Sequence, residues 1–435
     1  MKLNRAAAQP ARSSGHPLGS PKRRGSRRAS ALTLAAVLGL VVAIGPSAEA
    51  QTFTVLYSFS GYPTDGDSPI GGLFMDANGN LYGTTTYGGS NKSCPGTGVG
   101  CGTVFKLDTK GNETVLYNFA GPDGANPSGS LIMNAKGDLY GTTEYGGRLQ
   151  DCTSDGFAGC GVVFKLRGKK ETVLHRFCSV GNCTDGAEHW RGLVMDASGA
   201  VYGTTYYGGS VNGGAVFRLV GKKETVLHSF TGYPDGAYPE AGLITDANGN
   251  LFGTTIYGGD FNCDDEGGCG VVFKLADKKE TILYRFKGSD NPGSRDGAYP
   301  AASLFMDANG NLYGTTADGG DSDNQGTVFE VSHAGKEHVL YRFIPQHNVF
   351  GPQSRVIRDA EGNLYGTTLE GGGGTVFEVS KDRKEKVLHY FCSEQNCADG
   401  GYPAGDLIMD AKGNLYGTAY GGGINGNGTI FMITP

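Results

Sequence analysis

The 435-residue chain holds a single tryptophan, Trp190, and after residue 45 it has no apolar run long enough to cross a bilayer, which takes about 20 residues. No window of 12 or more residues repeats apolar side chains at the 3.6-residue helical period, so helical bundles and helical solenoids are excluded. HExxH, GxSxG and P-loop arrangements are missing, as is a GxGxxG between a strand and a helix, and with them the usual signatures of zincins, α/β-hydrolases and nucleotide-binding folds. Positive charge is also scarce. Removing residues 1–50, with their eight Lys/Arg and one Glu, leaves 29 basic and 42 acidic residues, a net charge near −13. Nucleic acid and anionic membranes both need clustered positive charge, and neither is expected as a partner.

Those first fifty residues read as a targeting segment. Lys22, Arg23, Arg24, Arg27 and Arg28 precede the apolar run ALTLAAVLGLVVAIG (31–45), and AEA (48–50) supplies a small-x-small cleavage pattern. A signal peptide cleaved after Ala50 is expected, with no membrane insertion after its removal and a secreted or periplasmic location.

Glycine is in excess, at 75 of 435 residues against an ordinary level of about 7%. Much glycine in an ordered chain means many tight turns, and internal repeats are the natural source of them. LYGTT or a close variant starts at Leu81, Leu139, Val201, Leu251, Leu312, Leu364 and Leu415, at spacings of 50 to 62 residues. GTVF-like, TVLYxF-like and SLIMD-like segments also occur seven times each. All four kinds are rich in β-branched and aromatic residues and bounded by glycine, which is the strand signal. Four strands per unit at this period marks a propeller blade. The expectation is all-β: one seven-bladed β-propeller over residues 51–435, with four-stranded blades. The chain ends on a third strand, GTIFMITP (428–435), and FTVLYSF (53–59) supplies the fourth that completes the last blade.

The seven DANGN-like segments, first at 76–80, read as hairpin turns in which Asp accepts backbone N–H groups and Gly takes positive φ. They miss the D-x-[DN]-x-[DN]-G spacing of a calcium loop, and no metal or other cofactor is expected. The ten cysteines fall into five close pairs: Cys94/Cys101, Cys152/Cys160, Cys178/Cys183, Cys263/Cys269 and Cys392/Cys397. In an exported chain these read as local disulfides, whose expected purpose is to stiffen exposed loops. No two pairs have the CxxC-like spacing of a zinc site.

Three pairs lie between strands two and three, and two lie between strand four and the next blade. Strands alternate in direction, so all five pairs decorate one face, while the other face carries only short turns. Loops on a rigid scaffold are where function concentrates. The decorated face is also rich in tyrosine: Tyr87, Tyr145, Tyr207, Tyr257 and Tyr420 in YGG segments, with Tyr62, Tyr233, Tyr238, Tyr299 and Tyr402 in the connections between blades. Such rings offer flat apolar area plus a hydrogen bond, which suits sugars or peptides. Residues shared by all blades are mostly architecture, so departures from the repeat are the site candidates. Blade three departs with Glu188, His189, Trp190 and Arg191. Blade six departs with Gln346, His347 and Asn348, and with Arg355 and Arg358 on its first strand. In a seven-membered ring these two blades face each other across the channel. His175, His228 and His389 take the Tyr place of TVLYxF and read as tolerated strand substitutions.

The recurring DANGNLYGTT…YGG…GTVFKL…ETVLYNF unit resembles the GloVer tandem repeat of exported bacterial proteins over essentially all of residues 53–435. A weaker likeness, through D-x-x-G-N-[LI]-Y, is to NHL-type propellers. The resemblance implies an exported propeller-like array and brings no catalytic residues to carry over. Such proteins have varied surface-anchoring ends; this chain stops at Pro435, directly after a strand, which favours a free protein over an anchored one. The functional expectation is a monomeric, non-catalytic binding module for a glycan or a protein partner. The alternatives are a polysaccharide-acting hydrolase or lyase and a structural envelope protein.

Overall fold

The computed structural model describes residues 51–434, apart from 92–93, 95–98, 149–151, 155–156, 190, 260–262, 264–266, 289–294, 321–323 and 345–349. The described residues contain strands, turns and two single 3₁₀ turns, Gly181–Cys183 and Gln395–Cys397. None of their helices is long and apolar enough to cross a membrane. The targeting segment lies outside the described residues.

The strands form seven antiparallel blades. In the first, Phe74–Met75, Leu81–Thr85, Thr103–Leu107 and Glu113–Asn118 pair in chain order from the channel outward. The last blade is closed by the N-terminal strand Thr52–Ser58, which pairs antiparallel with Thr429–Thr434. The ring is therefore sealed by hydrogen bonds between the two ends of the repeat array, and the edge that an open sheet would expose is covered.

Sequence chemistry explains the blades directly. The glycine of LYGTT lies opposite the phenylalanine of GTVF, as Gly83 opposite Phe105. A Cβ at Gly83 would stand 2.5 Å from Phe105 Cζ, so the ring needs a bare backbone beneath it. That phenylalanine then meets the last aromatic of TVLYxF from the preceding blade. Phe59–Phe105, Phe119–Phe164, Phe177–Phe217, Phe230–Phe273, Phe286–Phe329, Phe343–Phe377 and Phe391–Phe431 pack edge to face with centroids 5.0 to 5.2 Å apart. Each such pair contributes roughly 0.5–1.5 kcal/mol beyond its buried area, and the seven together form the seams between blades. A second seam runs nearer the channel. The first threonine of LYGTT donates to a carbonyl of the next blade, as Thr84 Oγ1 to Gly129 O at 3.2 Å and Thr204 Oγ1 to Ala241 O at 2.9 Å.

At one end of the ring lie the DANGN turns. Asp246 Oδ1 accepts the N–H groups of Asn248 and Asn250, both at 2.9 Å, while Oδ2 accepts from Asn250 Nδ2 at 2.6 Å. The tyrosine of LYGTT often joins in, as Tyr202 Oη does to Asp196 Oδ2 at 2.8 Å. These carboxylates already have their donors, so the turn reading holds.

All five expected disulfides, Cys94–Cys101, Cys152–Cys160, Cys178–Cys183, Cys263–Cys269 and Cys392–Cys397, are formed, and the connections that carry them gather at the opposite end. Five bridges indicate an oxidising, extracellular or periplasmic environment. Their expected purpose, stiffening exposed loops, is corrected for three of them. Cys101, Cys160 and Cys269 are fully buried, and Cys94 and Cys263 nearly so. Cys101 belongs to the apolar cluster of Val104, Phe119 and Ala125, and Cys269 to that of Val272, Phe286 and Ala298. The reason is position. Each of the three stands one residue before the glycine that opens a third strand, where the next blade covers it. Asn126 N donates to Cys101 O at 2.9 Å, Glu188 N to Cys160 O at 3.0 Å and Tyr299 N to Cys269 O at 3.0 Å. Those bridges root the loop in the core and are not ligand-face groups, whereas Cys178–Cys183 and Cys392–Cys397 are only partly buried.

Candidate functional site

Every blade enters its innermost strand through one backbone device at the disulfide-bearing end. Ser68, Asn126, Glu188, Tyr238, Tyr299, Gly351 and Tyr402 occupy equivalent places, all left-handed with φ between 55° and 66°. Six of them are not glycine, and each of those conformations costs on the order of 1 kcal/mol or more. The surrounding hydrogen bonds hold them there. Tyr238 N donates to Gly213 O of the preceding blade at 2.8 Å, and Tyr238 O accepts from Ile256 N at 3.2 Å. The next residue is proline in six blades. Its ring covers the glycine that opens the previous blade's third strand; a Cβ at Gly214 (φ +90°) would stand 2.6 Å from Pro239 Cδ and 2.5 Å from Thr205 O.

Blade three puts His189 at the proline position. It is fully buried between Phe177 and Phe217, with both ring nitrogens lacking a hydrogen-bond partner. Burial pushes its pKa down to about 3. His189 is therefore a neutral core residue, and its expected place on the ligand face is corrected. Trp190 lies outside the described residues. Arg191 Nη2 donates to Glu240 Oε1 of blade four at 3.4 Å. Burial raises the Glu240 carboxyl, with Arg191 opposing. Glu144 of blade two joins this neighbourhood: burial first, then Glu188 and Glu240, push it up to about 7 against a hydrogen bond from Tyr145.

Alongside these carboxyls runs a line of tyrosines. Centroids are 4.7 Å apart for Tyr206–Tyr207, 5.2 Å for Tyr206–Tyr238, 5.8 Å for Tyr238–Tyr257 and 5.5 Å for Tyr257–Tyr299. The line spans blades three to five. Burial first, and then the neighbouring tyrosines and Glu240, raise the Tyr206 hydroxyl well above its ordinary value, so it stays protonated. Tyr402 and Tyr420 stack in blade seven at 5.4 Å.

The YGG reading is corrected in that blade. Gly421, not Tyr420, bridges Gly401 as Tyr207 bridges Ala187, so Tyr420 sits one place earlier, in register with Thr86, Glu144 and Tyr206. This position changes from blade to blade, and it supplied Glu144 and Tyr206, which the motif search passed over. The variation itself was the available signal. Tyr87 and Tyr145 stand in the expected register, partly buried, outside the tyrosine line.

The channel holds a cavity of about 440 Å³ lined by residues of all seven blades, at or just before their innermost strands. Its walls include Phe74, Ile132, Val194, Ile244 and Ile408, and its polar groups are Ser130, Ser303, Arg355 and Asp406. Arg355 N donates to Asp406 Oδ1 at 2.9 Å, and Arg355 Nε stands 3.9 Å from Oδ2. Arg355 therefore lines the channel as a blade-six departure. Arg358 does not reach the loop end, because its strand runs from that end to the turns. It contacts Asp307 Oδ2 at 3.3 Å and lies over the Tyr313 ring. His347, with Gln346 and Asn348, lies outside the described residues.

The other histidines have a defined task. The Tyr or His of TVLYxF reaches the aspartate in the connection that follows: Tyr57 Oη to Asp65 Oδ2 at 2.8 Å, Tyr284 Oη to Asp296 Oδ2 at 2.8 Å and His389 Nε2 to Asp399 Oδ2 at 3.1 Å. His substitutes for Tyr because both place a polar hydrogen over that carboxylate. Beside these aspartates lie Glu113, Glu171, Glu224 and Glu337 of the neighbouring blades, each pushed up to about 7, chiefly by burial.

Comparison with known proteins agrees with the ring. Virginiamycin B lyase from Staphylococcus aureus superposes with a TM-score of 0.54 at 12% identity, over 88% of this chain and 99% of that one. A gluconolactonase from Xanthomonas campestris aligns at 14% identity over 87% and 99%, with a TM-score of 0.42. Regucalcin, a calcium-binding protein from Agrobacterium tumefaciens, aligns at 14% over 86% and 93%, with 0.39. At such identity only the fold is shared, and only the first comparison is close enough to bear on it. No curated protein sequence matches the chain. The repeat is decisive: residues 35–156, 151–373 and 325–435 match the Gloeobacter/Verrucomicrobia repeat, and the chain belongs to that family.

Proposed function

We propose that this propeller is an exported, non-catalytic binding module that takes a glycan on its disulfide-bearing face. The observation that carries the reading is the line of five tyrosines, Tyr206, Tyr207, Tyr238, Tyr257 and Tyr299, beside Glu144, Glu240 and Arg191. Sugar rings stack on flat aromatic area, and their hydroxyls bond to carboxylate and guanidinium groups. Exposed apolar side chains on the same face, among them Val99, Val180, Val211 and Ile424, support a protein partner if glycans fail.

A second reading, a hydrolase or lyase acting on polysaccharide, rests on Glu144. A carboxyl that keeps its proton to about pH 7 beside ionisable carboxyl partners has the character of a general acid. One experiment separates the two. The purified protein is incubated with a panel of soluble and insoluble polysaccharides, and binding and released sugar are read in the same tubes. Saturable binding without release, lost in Tyr257→Ala and Trp190→Ala, supports the module. Release that disappears in Glu144→Gln moves the case to the enzyme. No binding by the wild-type protein to any member sinks the glycan assignment.

A further inference from the structure

Among the described residues, only one of the six TVLYxF histidine or tyrosine places that sit over a turn aspartate gathers three metal-type ligand atoms. His228 Nε2 lies 3.2 Å from Asp235 Oδ2 and 3.9 Å from Glu280 Oε1, and the three ligand atoms all fall within 4.8 Å of one another. They come from three separate pieces of the fold: the fourth strand of blade three (Lys223–Ser229), the connection to blade four, and blade four's own fourth strand (Lys279–Arg285). We propose that His228, Asp235 and Glu280 form a binding site for a divalent transition-metal ion, zinc above all, that clamps the seam between blades three and four.

The geometry suits such an ion. With metal–ligand distances of about 2.0–2.2 Å, neighbouring ligand atoms stand roughly 3–3.6 Å apart; the His228–Asp235 distance of 3.2 Å falls inside that range and the His228–Glu280 distance of 3.9 Å just above it. One imidazole and two carboxylates match a divalent charge and the borderline preference of zinc, whereas calcium and magnesium favour all-oxygen shells. Side chains 13–20% exposed leave an entry path and room for water. Glu280 Oε1 is buried, as are the equivalent oxygens of Glu113, Glu171, Glu224 and Glu337, but here the carboxyl also shares a hydrogen bond with Asp235, a contact that an ion between the two would replace. Arg285 is the opposing charge nearby; its Nη2 donates to Pro234 O at 3.3 Å, turned to the connecting loop.

The other seams show why this one differs. Where tyrosine replaces histidine, as in Tyr57–Asp65 and Tyr284–Asp296, the phenol keeps its proton and is a poor ligand. At the closing seam Phe53 stands where the glutamate would be and stacks on His389 at 3.6 Å. The pair His175–Asp185 has Glu224 nearby, but not in the same compact group. The four sulfurs of Cys152, Cys160, Cys178 and Cys183 also lie together, against the spacing-based expectation, but they are spent in two disulfides. An ion at His228 would pin the connection that carries Tyr238, three residues after Asp235, so the site bears on the tyrosine line without belonging to it.

The test is calorimetric titration of chelator-treated protein with Zn²⁺, and Co²⁺ spectroscopy of the same sample. Wild type is expected to bind one equivalent, with a Co²⁺ spectrum free of thiolate charge transfer. His228→Tyr installs the residue other blades use and keeps the aspartate bond, and Glu280→Gln is isosteric. Each is expected to weaken binding at least tenfold while the unliganded melting curve stays within a few degrees of wild type. No stoichiometric binding by the wild type, thiolate bands in the Co²⁺ spectrum, or wild-type affinity in both variants would overturn the proposal.

Discussion

The two ends of the ring share one scaffold but spend their side chains differently. At the turn end, an Asp or Asn in each blade supplies the acceptor that closes the hairpin, so side chain and backbone cannot vary apart. At the loop end the backbone is held by main-chain hydrogen bonds and by proline on glycine. Its left-handed place can therefore carry serine, asparagine, glutamate, tyrosine or glycine without altering the path. A scaffold stabilised by its own backbone is free to differentiate its surface, and this end is where a site can evolve.

The largest effect should come from breaking the backbone device. Gly214→Val places a Cβ 2.5 Å from Thr205 O at φ +90°. A loss of more than about 3 kcal/mol, or failure to fold, is expected from backbone collision plus left-handed strain; chemical denaturation measures it, and a loss below 1 kcal/mol would show that the seam relaxes easily. Next comes the turn end. Asp246→Ala removes the acceptor for two backbone N–H groups and one side-chain amide, and should cost about 1–2 kcal/mol. Tyr402→Ala at the loop end, 45% exposed, should stay within about 0.5 kcal/mol. Equal costs for these two would erase the contrast.

Blade three sharpens it in the opposite direction. His189→Pro restores the residue found in the other six blades and removes a buried polar ring without partners. A gain of about 1 kcal/mol is expected; a loss would mean that His189 does more than fill space.

Stability should also follow a pH slope. Glu113, Glu171, Glu224 and Glu337 titrate near 7 in the fold against an ordinary 4.5. The native state therefore binds more protons between those values, and their contribution is full below pH 4.5 and lost as pH rises through 7. His189 works the other way: its folded pKa near 3 against 6.5 removes stability as pH falls below 6.5. Four groups outweigh one, so the melting temperature should be higher at pH 5.5 than at pH 8. Replacing the four glutamates by glutamine should flatten the slope, and an unchanged slope would assign it elsewhere.

Much of this was legible in the sequence. Seven copies of each strand announced blade number and closure, and the cysteine pairs announced their partners. The depth of Cys101, Cys160 and Cys269 was not announced, because the neighbouring blade that covers them lies outside the local pattern. The site was legible only in part. Glu188, Arg191 and Arg355 stood out as departures from the repeat. His189 also stood out, yet the fold buries it, because a departure at a proline-on-glycine seam faces inward. Arg358 failed for a reason of strand length: a two-residue innermost strand (Ile357–Arg358) already reaches the turn end. Tyr420 failed because LYGTA is followed by one residue fewer before its glycines, and the aromatic slipped one place while the motif looked intact.

What the sequence determined by itself was everything set by short-range chemistry. Two-residue alternation makes the strands, Asx geometry makes the turns, and glycine beneath phenylalanine makes the cross-strand register. Tertiary structure decided which residues from different blades meet. Tyr206 touches Tyr238, Glu144 senses Glu240, and His228 meets Glu280 only because ring closure brings connections about 30 to 100 residues apart onto common seams. The physical reason is that a repeat encodes each blade's interior in its own local pattern. Contacts between blades depend instead on the angle at which seven similar sheets pack, which the edge-to-face phenylalanine pairs set.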